Sequence, residues 1–103
     1  MDHELWNRDA RALLRVLLSL RTARGARRFI RDLMTEDEIR MIVDRFRVAR
    51  LLHAGRSYRE IEARTGLSSR TIARISRWLR KGEGGYRAVL AGMPRSRRAA
   101  ARR

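Results

Sequence analysis

The sequence has no cysteine, a single proline and, among 26 lysine and arginine residues, a single lysine. Without cysteine there is neither a disulfide framework nor thiolate chemistry, and we expect a cytoplasmic location. No apolar run approaches the roughly 18 residues that a membrane span needs, so we expect no membrane partner. Residues 1–20 open with acidic residues and are interrupted by Arg15, which is not the pattern of a signal peptide.

Acidic residues are also scarce, and they are scarcest in the second half of the chain. The net charge is +15; residues 57–103 hold 13 arginines and lysines against 3 acids, whereas residues 1–56 hold 13 against 8. A cation excess of this size most often serves a polyanionic partner. A GC-rich genome can explain why arginine is used in place of lysine, but it does not explain why the second half of the chain has so few acidic residues. We therefore expect the second half to contact nucleic acid.

The hydrophobic residues recur at helical spacing and no strand pattern is present, which predicts an all-α fold. Apolar positions within residues 4–20 cover more than one helix face, and such a helix is normally buried on several sides. In so short a chain this indicates burial against a second copy, as in a homodimer. Further helices are predicted over residues 26–33, from Thr35 to about residue 54, and over residues 57–65, 69–81 and 86–90.

Two capping boxes mark helix starts at Thr35–Glu38 and Ser57–Glu60. In such a box a hydroxyl and a carboxylate three residues apart exchange hydrogen bonds with the backbone. Capping and the helix dipole explain the acids of the first box, so we do not interpret them as a metal or acid–base site. Residues 94–103 carry five arginines and no acid. We assign residues 1–92 to one domain and residues 93–103 to a basic, disordered tail.

Residues 57–76 have the pattern of a helix-turn-helix unit. Gly66 stands where the turn needs a positive φ angle, and isoleucines such as Ile61 and Ile72 stand where the two helices must touch. Glu62 departs from the pattern, because a small residue usually occupies its position. The alternative is a basic helical hairpin without a DNA-reading role.

The charge pattern of the predicted second helix, residues 69–81, favours DNA contact. Four cations recur at i, i+4, i+7 and i+11, which places them along one side, and residues 64–81 contain six cations and no acid. A recognition helix enters the major groove N-terminus first, so we predict base contacts from Ser69, Arg70 and Ala73 and mainly phosphate contacts elsewhere. The predicted DNA-binding residues are Ser57, Tyr58, Arg59, Ser68, Ser69, Arg70, Thr71, Ala73, Arg74, Arg77, Arg80 and Lys81.

Two segments, Gly55–Ile61 at the start of this unit and Gly82–Tyr86 beyond its second helix, resemble the Trp repressor superfamily. They are most similar to its YerC/YecD branch, whose members carry a G-[KR]-S-Y-x-E-I segment and a G-x-G-G-Y segment. The N-terminal residues LLSL and FIRDLMT are also similar, so the resemblance covers roughly residues 5–90. It implies an all-helical fold of about six helices, an intertwined homodimer and binding to palindromic operator DNA.

The resemblance also implies where a tryptophan ligand would lie, since the tryptophan-responsive repressors hold it between two arginines, near a threonine and helix-cap carbonyls. The matching positions here are Thr35, Arg45, Thr71 and Arg74. Ile75 and Trp78 replace the glycine and serine that house the ligand, and the isoleucine would fill the space of the indole. We therefore expect no cofactor and no tryptophan corepressor, and interpret Arg45 and Arg74 as DNA contacts or members of ion pairs. Trp6 and Trp78 are predicted to lie in the core or a dimer interface.

These observations favour a dimeric, sequence-specific DNA-binding regulator that acts as a repressor in the nucleoid. Two alternatives stay open: an architectural DNA-binding protein with mainly phosphate contacts, and a tryptophan-responsive repressor. A module of a transposase or recombinase would need catalytic carboxylates in a larger chain. An enzyme is not expected, because the sequence offers no nucleophile–base pair, ligand cluster or cofactor loop.

Overall fold

The computed structural model describes residues 2–93, with side chains from residue 4 onward, so the predicted tail lies outside the described residues except for Met93. No strand occurs within residues 2–93, which confirms the predicted all-α fold. Seven helices follow one another within residues 2–93, and the first is a single turn. They are α1 (Asp2–Leu5), α2 (Arg8–Ser19), α3 (Ala23–Leu33), α4 (Glu36–His53), α5 (Tyr58–Thr65), α6 (Ser69–Lys81) and α7 (Gly85–Gly92). The described residues divide into two compact units, with the boundary between Arg40 and Met41.

In the first unit, the prediction of a single helix over residues 4–20 is wrong, because two helices, α1 and α2, occupy this region. Asn7 adopts an extended conformation, and its side-chain oxygen accepts a hydrogen bond from the Ala10 N–H at 2.9 Å. Asparagine is a preferred N-cap because this bond satisfies an otherwise free helix donor. Thr22 caps α3 in the same way through the Gly25 N–H at 3.0 Å. Because of this cap, α3 begins at Ala23, which is earlier in the chain than the predicted start at residue 26.

The large apolar residues of α2 remain partly accessible to solvent in the single chain. No residue of α2 or α3 is buried, and Leu18 is 83% exposed. Leu13, Leu14, Val16 and Leu17 are also among the exposed large hydrophobic residues. Contiguous exposed apolar surface of this kind is uncommon on monomeric proteins and usually marks an interaction site.

The first turn of α4 confirms the capping box at Thr35 and Glu38. The Glu38 N–H donates to the Thr35 hydroxyl at 3.1 Å, and the Thr35 N–H donates to the Glu38 carboxylate at 2.8 Å. Arg40 pairs with Glu36 at 3.2 Å and with Asp37 at 3.1 Å. The acids of this turn therefore serve the helix start, and no group of three metal-ligating side chains occurs in the described part of the chain.

The second unit holds the hydrophobic core, which forms around the predicted helix-turn-helix. Ile61 of α5 and Ile72 of α6 are completely buried, and they belong to one buried cluster with Val48 of α4. Ala49, Ile75 and Leu90 complete the buried cluster. Because α4, α5, α6 and α7 all contribute to one core, the angle at which α6 is presented depends on the packing of this whole unit.

None of the helices among residues 2–93 is both long enough and apolar enough to cross a membrane.

Candidate nucleic-acid interface

The turn between α5 and α6 has the geometry that the sequence pattern requires. Gly66 ends α5 with φ +74°, in the left-handed region where a side chain would be strained. The Thr65 hydroxyl donates to the Ile61 carbonyl at 2.7 Å and accepts from the Leu67 N–H at 3.2 Å. Ser68 then caps α6 by accepting the Thr71 N–H at 3.2 Å. These bonds hold two short helices across a tight turn, as in a helix-turn-helix unit.

Helix α6 has a buried face and a cationic face on opposite sides. Ile72 and Ser76 are buried, and Ile75 is only 4% exposed. Four exposed cations form the α6 stripe, which is Arg70, Arg74, Arg77 and Lys81. At 100° per residue they fall within an arc of about 60° that lies opposite the isoleucines. The core therefore fixes the rotation of α6 and directs the α6 stripe into solvent.

Within residues 4–93, the α6 stripe also has no acidic partner. Among residues 4–93, ion pairs involve Arg31, Arg40, Arg56 and Arg64, and none involves a cation of α6. The sequence contains no acid between Glu62 and Glu83. Guanidinium groups without protein partners are available to phosphates and guanine bases, which they can bind through two parallel hydrogen bonds.

The twelve predicted DNA-binding residues lie on two elements. Ser57, Tyr58 and Arg59 form the start of α5 and the residue before it, and the other nine belong to α6 and its N-cap. All are exposed except Thr71, which is half-buried. Ser57 and Ser68 use their hydroxyls as helix caps. Their DNA contacts stay predictions.

The second predicted capping box forms only in part. The Glu60 N–H donates to the Ser57 hydroxyl at 3.1 Å, as expected. The Glu60 carboxylate is instead 3.4 Å from Arg56 and 3.0 Å from Arg64. These two ion pairs were not anticipated, although their i, i+4 spacing is the signal that would have shown them. They withdraw two arginines of α5 and its preceding loop from the free cations of this surface.

The four residues of the possible ligand site each have a local role or lie in solvent. Thr35 caps α4, and the Thr71 hydroxyl lies 3.1 Å from that of Ser68. Arg45 and Arg74 are exposed, and Arg45 contacts the Met41 sulfur at 3.5 Å. The ligand role of these residues, like the absence of a cofactor, stays a prediction.

The tryptophans lie outside the core of the single chain. Trp78 is 58% exposed on the flank of the α6 stripe, and Trp6 is 42% exposed. The core placement is therefore wrong for both, and the dimer interface stays a prediction for them. Ile75, in contrast, is a core residue, and its occupation of the indole space stays a prediction.

The comparison with known families agrees with this geometry. The family model described as Trp repressor protein matches residues 8–93. The chain belongs to the Trp repressor family. This match spans α2 to α7 and includes both compact units. It confirms the resemblance drawn from the two motifs around the helix-turn-helix.

Individual members of the Trp repressor family are similar over nearly the whole chain. The uncharacterized protein YerC of Bacillus subtilis is 37% identical over 87 residues, which are 84% of each chain. A TrpR-like protein from Eubacterium eligens matches with a TM-score of 0.82 and 35% identity, over 90% of this chain and 98% of that one. A Staphylococcus aureus structure, described as that of a putative Trp repressor, matches with a TM-score of 0.79 and 32% identity. That match covers 88% of this chain and 92% of the other.

The Trp repressor family is one of regulatory, DNA-binding proteins rather than enzymes. Its match places this chain among DNA-binding regulators in the broad sense.

Proposed function

We propose that the protein is a dimeric, sequence-specific transcriptional repressor that binds a palindromic operator through α6. The observation that carries this proposal is the α6 stripe, whose cations have no acidic partner among residues 4–93 and lie opposite the buried Ile72 and Ile75. Because the core fixes the rotation of α6, the cations of the α6 stripe point in one direction before DNA binds, as insertion into a DNA groove requires. A basic face that served only solvation would not need this fixed direction.

The proposed docking follows from the direction of α6. With its N-terminus in the major groove, Arg70 reaches base edges, where a guanidinium favours guanine. Ala73, one turn on, is exposed and can contact a thymine methyl group. Arg77 and Lys81 lie further along the stripe and neutralise phosphates, which fixes the register without reading sequence.

The proposed dimer rests on the exposed apolar residues of α2. Leu14 and Leu17 are each 41% exposed in the single chain. A second copy of the chain offers the same surface and would bury both.

Leu17→Glu should shift the protein toward monomers in sedimentation velocity, because a carboxylate cannot be buried unpaired. Arg15→Glu, on the polar side of α2, is the matched control and should sediment as the wild type does; equal behaviour of the two variants would argue against this interface.

Repression is proposed because occupation of an operator by itself excludes other proteins from the same DNA. We further propose a nucleoid location in the cytoplasm, where such an operator lies. Tryptophan is not proposed as the corepressor, because Ile75 replaces the glycine that the resemblance implies for housing the ligand, and its bulky side chain is buried.

An architectural DNA-binding protein is the second candidate, because the net charge of +15 would attract any duplex. The two are separated by selecting bound duplexes from a random library and measuring the specificity ratio. A regulator should bind the selected sequence at least about 1,000-fold more tightly than random duplex. Uniform affinity that falls steeply with salt would refute sequence-specific regulation and support the architectural function.

A further inference from the structure

Helix α3 carries a second row of arginines, which the proposed helix-turn-helix does not use. Arg24, Arg27, Arg28 and Arg31 recur at i, i+3, i+4 and i+7, and all four are exposed. We call them the α3 stripe. On the opposite side of the helix, Phe29 and Ile30 are half-buried. As in α6, the packing of an apolar face determines which way the cations point.

The α3 stripe is electrostatically unfavourable for the isolated helix. Arginines spaced by three or four residues are neighbours on the helix surface, and like charges at this spacing destabilise a helix. Arg24 also lies in the first turn, where the positive end of the helix dipole disfavours a cation. Only Arg31 has an acidic partner within residues 4–93, Glu36 at 3.2 Å. The other three would be stabilised by an anionic ligand.

A polyanion fits the α3 stripe better than a lipid surface does. A helix that lies on a membrane needs a free apolar face beneath its cations. In α3 that face is partly covered, because Phe29 and Ile30 are half-buried in the chain. A row of arginines about one turn apart suits the closely spaced phosphates of a nucleic-acid backbone.

We propose that the α3 stripe is a second DNA-binding surface, which holds phosphates of double-stranded DNA outside the contacts made by α6. The inference rests on the proposed function only in taking DNA as the polyanion. The phosphates can belong to the flanks of the bound site or to a second duplex, and the chemistry of the contact is the same. The surface adds affinity and salt dependence but no base preference.

The test measures how the affinity of the full chain for a 60-bp duplex depends on salt. The variant R24Q/R27Q/R28Q removes three charges but keeps long side chains that favour helix. Its matched control, R8Q/R11Q/R15Q, removes three exposed charges from α2 in the same unit. R24K/R27K/R28K keeps the charge at the α3 stripe. Circular dichroism establishes that each variant is folded; should the triple glutamine variant not fold, the three single variants replace it.

Three phosphate contacts contribute about 2.7 to the slope of log K against log salt concentration, or about 0.9 for each single variant. Between 50 and 200 mM salt, the affinity of the wild type should therefore fall about 40-fold more than that of R24Q/R27Q/R28Q. The lysine variant should behave as the wild type, and the α2 control should lose clearly less slope. Equal slopes for the α2 and α3 glutamine variants would overturn the inference, because bulk charge would then explain both.

Two further experiments distinguish phosphates that flank the bound site from phosphates of a second duplex. If the phosphates flank the bound site, the α3 effect disappears when the 60-bp duplex is shortened to the selected site alone. If they belong to a second duplex, the wild type brings two dye-labelled duplexes into energy transfer, and R24Q/R27Q/R28Q does not. An unchanged slope with intact preference for the selected sequence refutes the α3 surface alone. A lowered slope without any sequence preference refutes the proposed regulator and leaves the α3 surface standing.

Discussion

The two faces of α6 can be tested separately, since one should determine stability and the other DNA affinity. Ile72 is completely buried, so Ile72→Ala removes buried carbon atoms and leaves a cavity. Such truncations cost about 2–5 kcal/mol of unfolding free energy, whereas Ile72→Val costs about 0.5–1.5 kcal/mol. Arg74, on the opposite face, is exposed and has no ion pair within residues 4–93. Arg74→Gln should therefore change the free energy of unfolding by less than about 0.5 kcal/mol.

The assay is urea unfolding at one fixed protein concentration, because dimerisation would make the midpoint depend on concentration. With a slope of about 2 kcal/mol per molar urea, a loss of 3 kcal/mol lowers the midpoint by about 1.5 M. Arg74→Gln should instead lower the salt slope of DNA binding by about 0.9. The reasoning is refuted if Ile72→Ala costs less than 1 kcal/mol, or if Arg74→Gln destabilises the fold without altering the slope.

Three further predictions concern the DNA surface and its control. Arg70→Ala should relax base preference at one position per half-site, whereas Lys81→Ala should weaken binding to all sequences alike and lower the salt slope by about one; the reverse pattern would contradict the docking. Calorimetric titration with L-tryptophan should show no heat of specific binding, and binding with micromolar affinity would show that the ligand site is open. Glu60→Gln frees Arg56 and Arg64 from their ion pairs, so affinity for random duplex should rise while stability falls by less than about 1 kcal/mol; unchanged DNA affinity would contradict a restraining role for Glu60.

Much of the second unit could be predicted because its signals are local. The cap at Ser68, the positive φ at Gly66 and the helix over 69–81 each depend on residues a few positions apart. The spacing of Ile72 and Ile75 predicted their burial, and the spacing of the cations predicted the opposite face. The first unit was less predictable, because the apolar periodicity continues across Asn7, where the cap divides α1 from α2.

The sequence by itself determined the helical class, the turn chemistry and the acid-free charge of the second half, because helix spacing, capping and net charge are properties of neighbouring residues. Tertiary structure decided which of two competing roles a side chain takes. Trp78 is apolar enough for a core, yet the rotation of α6 imposed by Ile72 and Ile75 leaves it 58% exposed. Only the packed core fixes that rotation, and with it the direction in which the arginines point.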